Sequence, residues 1–234
     1  PVNYQRKKIV PNAKGLVLEV GIGSGSNIPF YDKNKVTKVI GIDPSKELNA
    51  MAKKIANKND IDVEFIESSA EVIPLPDKSV DTVLVTYTMC TVPDVMSANI
   101  EMKRVLKDDG IMLFCEHGKA PDNNIEIWQN RINPLWGKLF GGCNINRDIP
   151  QLVENGGFKI EKLDQLISEV LGGGKLNLEL VTEEESPVRS GEQTEQRVFR
   201  LPQYRVSETW GDPKSEDRVV ISRFMAQVPG DNLQ

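Results

Sequence analysis

The chain has 234 residues, of which 39% are hydrophobic and 27% are charged, and its formal net charge is −5. This size and composition predict one large domain, or one domain with an appendage, built around a buried core. The acidic balance argues against a general polyanion binder, so we expect no nucleic acid partner. No apolar run reaches the roughly 18 residues that a membrane span requires.

The three cysteines, Cys90, Cys115 and Cys143, are odd in number and widely spaced. This pattern matches neither a disulfide framework nor a zinc motif, and it favours a reducing, cytoplasmic location. Cys90 and Cys115 are expected as small apolar side chains of the core, and Cys143 on a structural turn. The chain begins with Pro1 rather than Met, which is expected of a processed or truncated product.

Short apolar runs alternate with segments of helical spacing through the first half of the chain. The runs predict strands at 16–20, 36–43, 63–67, 79–87 and 110–117. Helical spacing is clearest in 45–58 and in 95–110, where a glycine is expected to end the second helix. Strands that alternate with helices predict an α/β fold with a doubly wound, mostly parallel sheet.

The pattern changes after residue 117. Residues 123–142 are predicted to form a helix that is interrupted at Pro134. Its aromatic side chains, Trp128, Trp136 and Phe140, could line an apolar pocket or pack the helix as a lid, and the sequence leaves both readings open. A short helix, a glycine turn and a strand near 158–167 are expected to follow.

A glycine-rich loop follows the first predicted strand, in the stretch GLVLEVGIGSGSN. Gly21, Gly23 and Gly25 give the backbone the freedom to approach a ligand closely, and Glu19 is the one acid of the strand. In a doubly wound sheet, ligands bind beyond the carboxyl ends of the strands at this position. Asp43 ends the second strand, where a carboxylate can accept hydrogen bonds from two ribose hydroxyls. The pattern predicts a nucleoside ligand.

Two classes of nucleoside ligand compete for this loop. A nicotinamide-dependent oxidoreductase requires G-x-G-x-x-G around a pyrophosphate, whereas the sixth position here is Ser26. S-adenosylmethionine carries no phosphate, and G-x-G-x-G after an acidic strand fits its amino acid tail and sulfonium better. A cofactor-binding module without catalysis and a tight turn without a ligand are further alternatives.

Longer segments extend the motif: VLEVGIGSGSNIPFYD, VIGIDPS, SSAEVIPLPDKSVDTVLVTYTMCTVPD and EMKRVLKDDGIMLFCEHGKAPD. Together they resemble the class I S-adenosylmethionine-dependent methyltransferases, in particular the type 11 bacterial group related to methyltransferase-like thiol methyltransferases. The resemblance implies a Rossmann-like sheet of seven strands with an antiparallel last strand. We expect a methyltransferase core at 1–167, an atypical insert or appendage at 168–217, the last strand at 218–228 and a tail at 229–234.

The resemblance also implies S-adenosylmethionine as the cofactor and assigns roles around it. Asp43 is expected to bind the ribose, the glycine loop to face the methionine side, and Thr86 and Tyr87 to face the transferring methyl group. The implied cofactor-binding residues are Glu19, Gly21, Gly23, Gly25, Asp43, Pro44, Ser45, Ser69, Ala70, Glu71 and Thr86.

Methyl transfer from a sulfonium is an in-line displacement that depends mainly on positioning and desolvation, although a thiol or amine acceptor must also lose a proton. His117, the only histidine, ends the fifth predicted strand and is predicted to be catalytic together with Tyr87. The alternative is a structural role that orders Glu116. A metal site at Cys90, His117 and Cys143 has no recognisable spacing, and we predict no metal.

Arg147 could orient an anionic acceptor, but a pair with the adjacent Asp148 is the simpler expectation. We therefore expect a cytoplasmic S-adenosylmethionine-dependent methyltransferase that acts on a small, apolar acceptor. A thiol is the first choice, and a lipid or quinone precursor is the second. The sequence does not specify an oligomeric state.

Overall fold

The computed structural model describes residues 2–120, 123–169, 175–180, 204–206 and 218–227. Most of the expected insert at 168–217 and all of the expected tail at 229–234 lie outside the described residues. The helices within the described part are α1 (Val2–Ile9), α2 (Lys46–Asn59), α3 (Val95–Val105), α4 (Asn123–Leu139) and α5 (Ile149–Asn155). The strands are β1 (Gly15–Val20), β2 (Val36–Ile42), β3 (Val63–Ile66), β4 (Val80–Thr86), β5 (Leu106–Gly118), β6 (Lys159–Glu169), β7 (Lys175–Leu180), β8 (Tyr204–Val206) and β9 (Arg218–Gln227).

All of these strands belong to one sheet, in the order β3-β2-β1-β4-β5-β9-β6-β7-β8. The first five strands of this order are mutually parallel, whereas β9 runs antiparallel to both β5 and β6. The predicted α/β class, the parallel core and the antiparallel last strand are confirmed. The predicted count of seven strands is not, because β7 and β8 extend the sheet beyond β6.

The strand order reverses beside β1, because the chain crosses from β3 at one edge to β4 on the other side of β1. The loops that follow β1 and β4 therefore diverge from the same point at the carboxyl edge of the sheet. This is the position at which open α/β sheets leave a crevice for a ligand. The glycine-rich loop follows β1 directly and so borders this crevice.

The side chains of the central strands alternate between two buried faces, as the period of two in a β-strand requires. On β1, Leu18 and Val20 pack with Val83 and Met102 in one apolar cluster. Val17 packs on the other face, and Glu19 has the same parity, so this acid is carried into the interior of the sheet. It is 1% exposed.

Two boundaries differ from the sequence-based predictions. Helix α3 ends at Val105 instead of continuing to the glycine at 110, because Leu106 has extended backbone angles and pairs with Val80 in the sheet. Helix α4 runs through Pro134 without the predicted interruption. The side chain of Asn133 donates to Asn144 and accepts from the backbone amide of Ile145, and Trp136 packs on Ile145. Residues on both sides of Pro134 therefore contact the same segment.

None of the helices in the described part of the chain is long and apolar enough to span a membrane.

Candidate functional site

A cavity of about 580 Å³ opens at the carboxyl edge of the sheet, beside the reversal of strand order. It is bordered by the loops that follow β1, β2, β3 and β4. Its lining residues are Gly21, Gly23, Ile42, Asp43, Pro44, Ser68, Ser69, Ala70, Glu71, Tyr87, Thr88, Thr91, Val92 and Pro93. The size suits a nucleoside-sized ligand.

The backbone of the glycine-rich loop is left-handed at Gly21, Gly23 and Gly25, with φ angles of 70°, 54° and 84°. A Cβ at Gly21 would also overlap the side chain of Thr88. Both the backbone conformation and the lack of space therefore favour glycine at this position. Gly21 and Gly23 line the cavity. Gly25 does not belong to the lining, since it packs against Ala52 of α2.

Asp43 follows β2 and connects it to the glycine-rich loop. Its Oδ2 accepts a hydrogen bond from the Gly23 amide at 3.0 Å, and its Oδ1 accepts one from the Ser45 amide at 2.9 Å. Asp43 as a whole is 8% exposed and lines the cavity. Ser45 instead caps α2, where its Oγ accepts from the Leu48 amide at 3.2 Å.

Glu19 lies in a buried network beside the cavity rather than on its lining. The Tyr31 hydroxyl donates to its Oε2 at 2.6 Å, and the side-chain amide of Asn27 donates to its Oε1 at 2.9 Å. Burial raises the pKa of Glu19 to about 7, although the hydrogen bonds from Tyr31 and Asn27 and the charge of Arg6 oppose this shift.

Thr86 belongs to the same network. Its Oγ1 accepts from the Asn27 amide at 2.9 Å and from the Arg6 guanidinium at 3.0 Å. The guanidinium also lies 5.1 Å from the centre of the Tyr87 ring. Helix α1 therefore contributes a charged side chain to the site, which no motif in the sequence indicates.

The loop after β4, residues 87–93, forms the opposite wall of the cavity, and we call it the β4 loop. Tyr87 begins it with a φ of 54°, a conformation that is costly for a residue with a side chain and that is often found at ligand sites. Tyr87 and four later residues of the loop line the cavity. The loop therefore contributes both polar and apolar residues to the cavity lining.

Side chains from outside hold the β4 loop in place. Glu116 Oε1 accepts from the amides of Thr88 and Met89, at 2.7 Å and 3.0 Å. Arg147 donates to the carbonyls of Met89 and Val92. Among the described residues Arg147 therefore binds the β4 loop. The predicted pair with Asp148 is wrong, because the Asp148 side chain caps α5.

His117 is directed at a cysteine and does not line the cavity. Its Nε2 lies 2.9 Å from the Sγ of Cys143, and its ring stacks on Tyr87 with 6.1 Å between the ring centres. The thiol of Cys90 completes the group, and the three ligating atoms all lie within 4.8 Å of one another. The sequence spacing gave no sign of this convergence, because Cys90 follows β4, His117 lies near the end of β5 and Cys143 follows α4. Cys115 is buried in β5, as predicted.

The hydrogen bond from Cys90 and, after it, the contact with His117 lower the pKa of Cys143 well below that of an ordinary thiol. The same hydrogen bond and burial raise the pKa of Cys90. The pair therefore favours one thiolate next to the imidazole.

Residues 18–114 match the protein family described as a methyltransferase domain. This part of the chain belongs to the S-adenosylmethionine-dependent methyltransferases. The chain is 32% identical over 160 residues to the human thiol S-methyltransferase TMT1A, covering 67% of this chain and 65% of that protein. It is 31% identical over 110 residues to the Campylobacter jejuni ubiquinone/menaquinone biosynthesis C-methyltransferase UbiE, covering 44% and 45% of the two chains.

The crystal structure of the YcgJ protein from Bacillus subtilis superposes with a TM-score of 0.59 over 72% of this chain and 73% of that one, at 24% identity, and supports the fold. The chain spans less than two thirds of the length of the thiol S-methyltransferases that it matches. The family, the Rossmann-like fold and S-adenosylmethionine as its cofactor were predicted from the sequence and are confirmed.

The structure gathers eight of the named site residues around one cavity. They are Gly21, Gly23, Asp43, Pro44, Ser69, Ala70, Glu71 and Tyr87. Glu19, Gly25, Ser45, Thr86 and His117 lie next to them without lining the cavity. Sequence reasoning named none of the lining residues beyond Tyr87 in the β4 loop, although their position directly after β4 at the reversal of strand order was a usable signal.

Proposed function

We propose that this chain transfers the methyl group of S-adenosylmethionine to a small, apolar thiol. The observation that carries the methyl-donor part of the proposal is the Asp43 carboxylate, which the Gly23 amide holds at the lining of the cavity. A fixed carboxylate after β2 can accept hydrogen bonds from both ribose hydroxyls, and the adjacent glycine loop leaves room for the amino acid tail.

The remaining cofactor contacts follow the course of the cavity wall. Pro44 borders the adenine on one side, and Ser69, Ala70 and Glu71 line its other edge. We assign supporting roles to the predicted residues that do not line the cavity. Glu19 and Thr86 hold the loop and Tyr87 through the Asn27 and Arg6 network, Gly25 lets the loop pack on α2, and Ser45 caps that helix.

The charge of the cavity supports S-adenosylmethionine over a dinucleotide. The charged residues of the described lining are Asp43 and Glu71, both acidic, with no lysine or arginine among them. An acidic cavity attracts the cationic sulfonium and repels a pyrophosphate. A nicotinamide-dependent oxidoreductase is therefore the weaker alternative.

The acceptor side supports a small apolar substrate. Ile42, Val92 and Pro93 give the lining an apolar component, and Tyr87 stands between this side and His117. Among the possible acceptors a thiol is preferred because the thiol S-methyltransferase match covers more of the chain than the quinone methyltransferase match does.

The sequence analysis predicted that Tyr87 and His117 are catalytic, and we propose a modified role for each. We propose that Tyr87 positions the sulfonium and the acceptor, since its backbone is locked at the cavity wall. His117 Nε2 contacts the Sγ of Cys143. We therefore propose that His117 acts together with this cysteine and not as an isolated general base.

A lipid or quinone precursor is the second candidate acceptor, and the surface of α4 favours it. Four large apolar residues close to or on this helix, Ile127, Leu135, Leu139 and Phe140, are between 51% and 68% exposed. An exposed apolar face of this kind can meet an acceptor that is presented in a lipid phase.

The test is to incubate the purified chain and S-adenosylmethionine with acceptors that differ in one atom, and to measure S-adenosylhomocysteine and the methylated product by mass spectrometry. We expect turnover of an apolar alkyl thiol, little turnover of the alcohol with the same skeleton, and loss of turnover in Asp43→Ala. The control, Asp109→Ala, removes an exposed acid of the chain and should retain activity. Turnover of a quinol or lipid without turnover of the thiol would replace the first candidate by the second.

A further inference from the structure

Three side chains of types that can bind a metal ion converge beside the candidate site, from separate parts of the chain. Cys90 lies in the β4 loop, His117 is near the end of β5, and Cys143 follows α4. Their ligating atoms, the two Sγ atoms and an imidazole nitrogen, all lie within 4.8 Å of one another. No fourth histidine, cysteine or acidic residue joins them within the part of the chain that the structure describes.

The surroundings of this cluster are apolar. Cys90 and Cys143 are 1% and 7% exposed, and they pack with Ile145, Ile132 and Trp136. Two thiols and an imidazole enclosed in an apolar shell form a soft ligand set, which prefers Zn²⁺ to hard cations such as Mg²⁺ or Ca²⁺.

Hydrogen bonds outside the cluster hold the backbone segments that carry Cys90 and Cys143. Asn144 donates to the Cys90 carbonyl through its amide at 2.8 Å and through its side chain at 3.1 Å. Because Asn144 directly follows Cys143, these bonds join the two cysteine segments. Glu116 and Arg147 hold the β4 loop on either side of Cys90.

We propose that Cys90, His117 and Cys143 bind one Zn²⁺ ion and leave its fourth position for the sulfur of the acceptor. A site with three protein ligands is typical of catalytic zinc, whereas structural zinc usually has four. The cluster adjoins the cavity, because the His117 ring stacks on the lining residue Tyr87 and Cys90 lies between the lining residues Thr88 and Thr91.

The role of the ion rests on the proposed thiol methyltransferase function. The acceptor thiol binds zinc as a thiolate and releases its proton to solvent, since a coordinated thiol is deprotonated. The sulfur then forms a bond to the methyl carbon while the bond between that carbon and the sulfonium breaks. The products are a methyl thioether and S-adenosylhomocysteine, and zinc is unchanged.

The first experiment measures metal binding without any acceptor. The reduced full chain is mixed with ZnCl₂, desalted, and analysed for zinc by mass spectrometry. We expect about one zinc per chain for the unaltered protein and less than about one tenth of that for Cys90→Ser, His117→Ala and Cys143→Ser. The matched control is Cys115→Ser, which removes the third buried cysteine and should leave the zinc content unchanged.

The second experiment uses the unaltered chain, so it does not depend on whether a variant folds. Co²⁺ is added in place of zinc under reducing conditions. We expect thiolate-to-cobalt charge-transfer absorption in the near ultraviolet and the visible bands of tetrahedral cobalt. The absence of these bands, together with no retained zinc, would overturn the proposal.

The zinc proposal and the proposed function fail in different ways. Thiol methylation that persists after zinc is removed by a chelator would overturn the role of the ion but leave the function standing. One tightly held zinc in a chain that methylates no thiol would leave the metal site standing and overturn the thiol acceptor.

Discussion

The carboxylate of Asp43 accepts a hydrogen bond from the amide of Gly23 at 3.0 Å, which joins the end of β2 to the loop after β1. The second carboxylate oxygen accepts from the Ser45 amide at 2.9 Å. Because an ionised carboxylate has about four acceptor sites, both oxygens can accept further bonds from a ligand. The same side chain therefore fixes the shape of the glycine loop and remains available at the cavity.

We predict that Gly21→Ala destabilises the fold more than Gly141→Ala does. Both glycines have a positive φ, at 70° and 62°, but a Cβ at Gly141 meets nothing within 4 Å, whereas a Cβ at Gly21 overlaps Thr88. The backbone strain alone costs about 1–2 kcal/mol. We expect that loss in Gly141→Ala and at least about 1 kcal/mol more in Gly21→Ala, measured by urea unfolding. Equal losses in the two variants would contradict the close approach of Thr88.

We predict that Glu19→Gln changes how stability depends on pH. Burial raises the pKa of Glu19 from 4.5 to about 7, so the folded chain binds this proton more tightly than the unfolded chain does. The contribution of Glu19 to the free energy of unfolding is therefore fully present below about pH 4.5, and it is lost as the pH rises through 7. Relative to the glutamine variant, the free energy of unfolding should fall by about 3 kcal/mol across this window.

The comparison is made by chemical unfolding of both proteins at several pH values. Glu116 also has a pKa raised to about 7 by burial, but it is present in both proteins and its contribution cancels in the difference. A difference that stays constant from acid to neutral pH would show that Glu19 is not buried as an uncharged acid in this network.

We predict that Arg147→Ala loosens the β4 loop and lowers both stability and methyl transfer. The variant leaves the carbonyls of Met89 and Val92 without their donor, at a cost of about 1–3 kcal/mol each. Arg147→Lys should recover only part of the loss, because one ammonium does not reproduce the fork of a guanidinium. Arg131→Ala, at an exposed position of α4, is the control. Protection of the loop amides by hydrogen exchange distinguishes loosening from global unfolding, and unaltered protection in Arg147→Ala would contradict this role.

The order of the strands and helices and the cofactor side of the cavity could be predicted from local sequence, because each depends on residues close together in the chain. Period-two runs indicate strands, and a glycine loop after one strand with an acid after the next marks the reversal of strand order. Thus the neighbourhood of Gly21, Gly23 and Asp43 follows from position alone.

The acceptor side could not be predicted in the same way, because its contacts join distant segments. Arg6 reaches Thr86 across 80 positions, and Arg147 reaches the β4 loop across 58 and 55. The pairing of His117 with Cys143 likewise depends on how α4 returns the chain to the end of β5. The end of α3 was misplaced for a related reason: Leu106 has good helical spacing, but its pairing with Val80 is a tertiary contact.

The most direct test of the central claim is calorimetric titration of the purified chain with S-adenosylmethionine, S-adenosylhomocysteine and NADH. We predict micromolar binding of the two sulfur nucleosides, no comparable binding of NADH, and at least about tenfold weaker binding in Asp43→Asn, since hydrogen bonds to a charged acceptor contribute about 1.5–3 kcal/mol each. Asp109→Asn should bind as the unaltered chain does. Preferential binding of NADH, or equal affinity for S-adenosylmethionine in Asp43→Asn and the unaltered chain, would contradict the account.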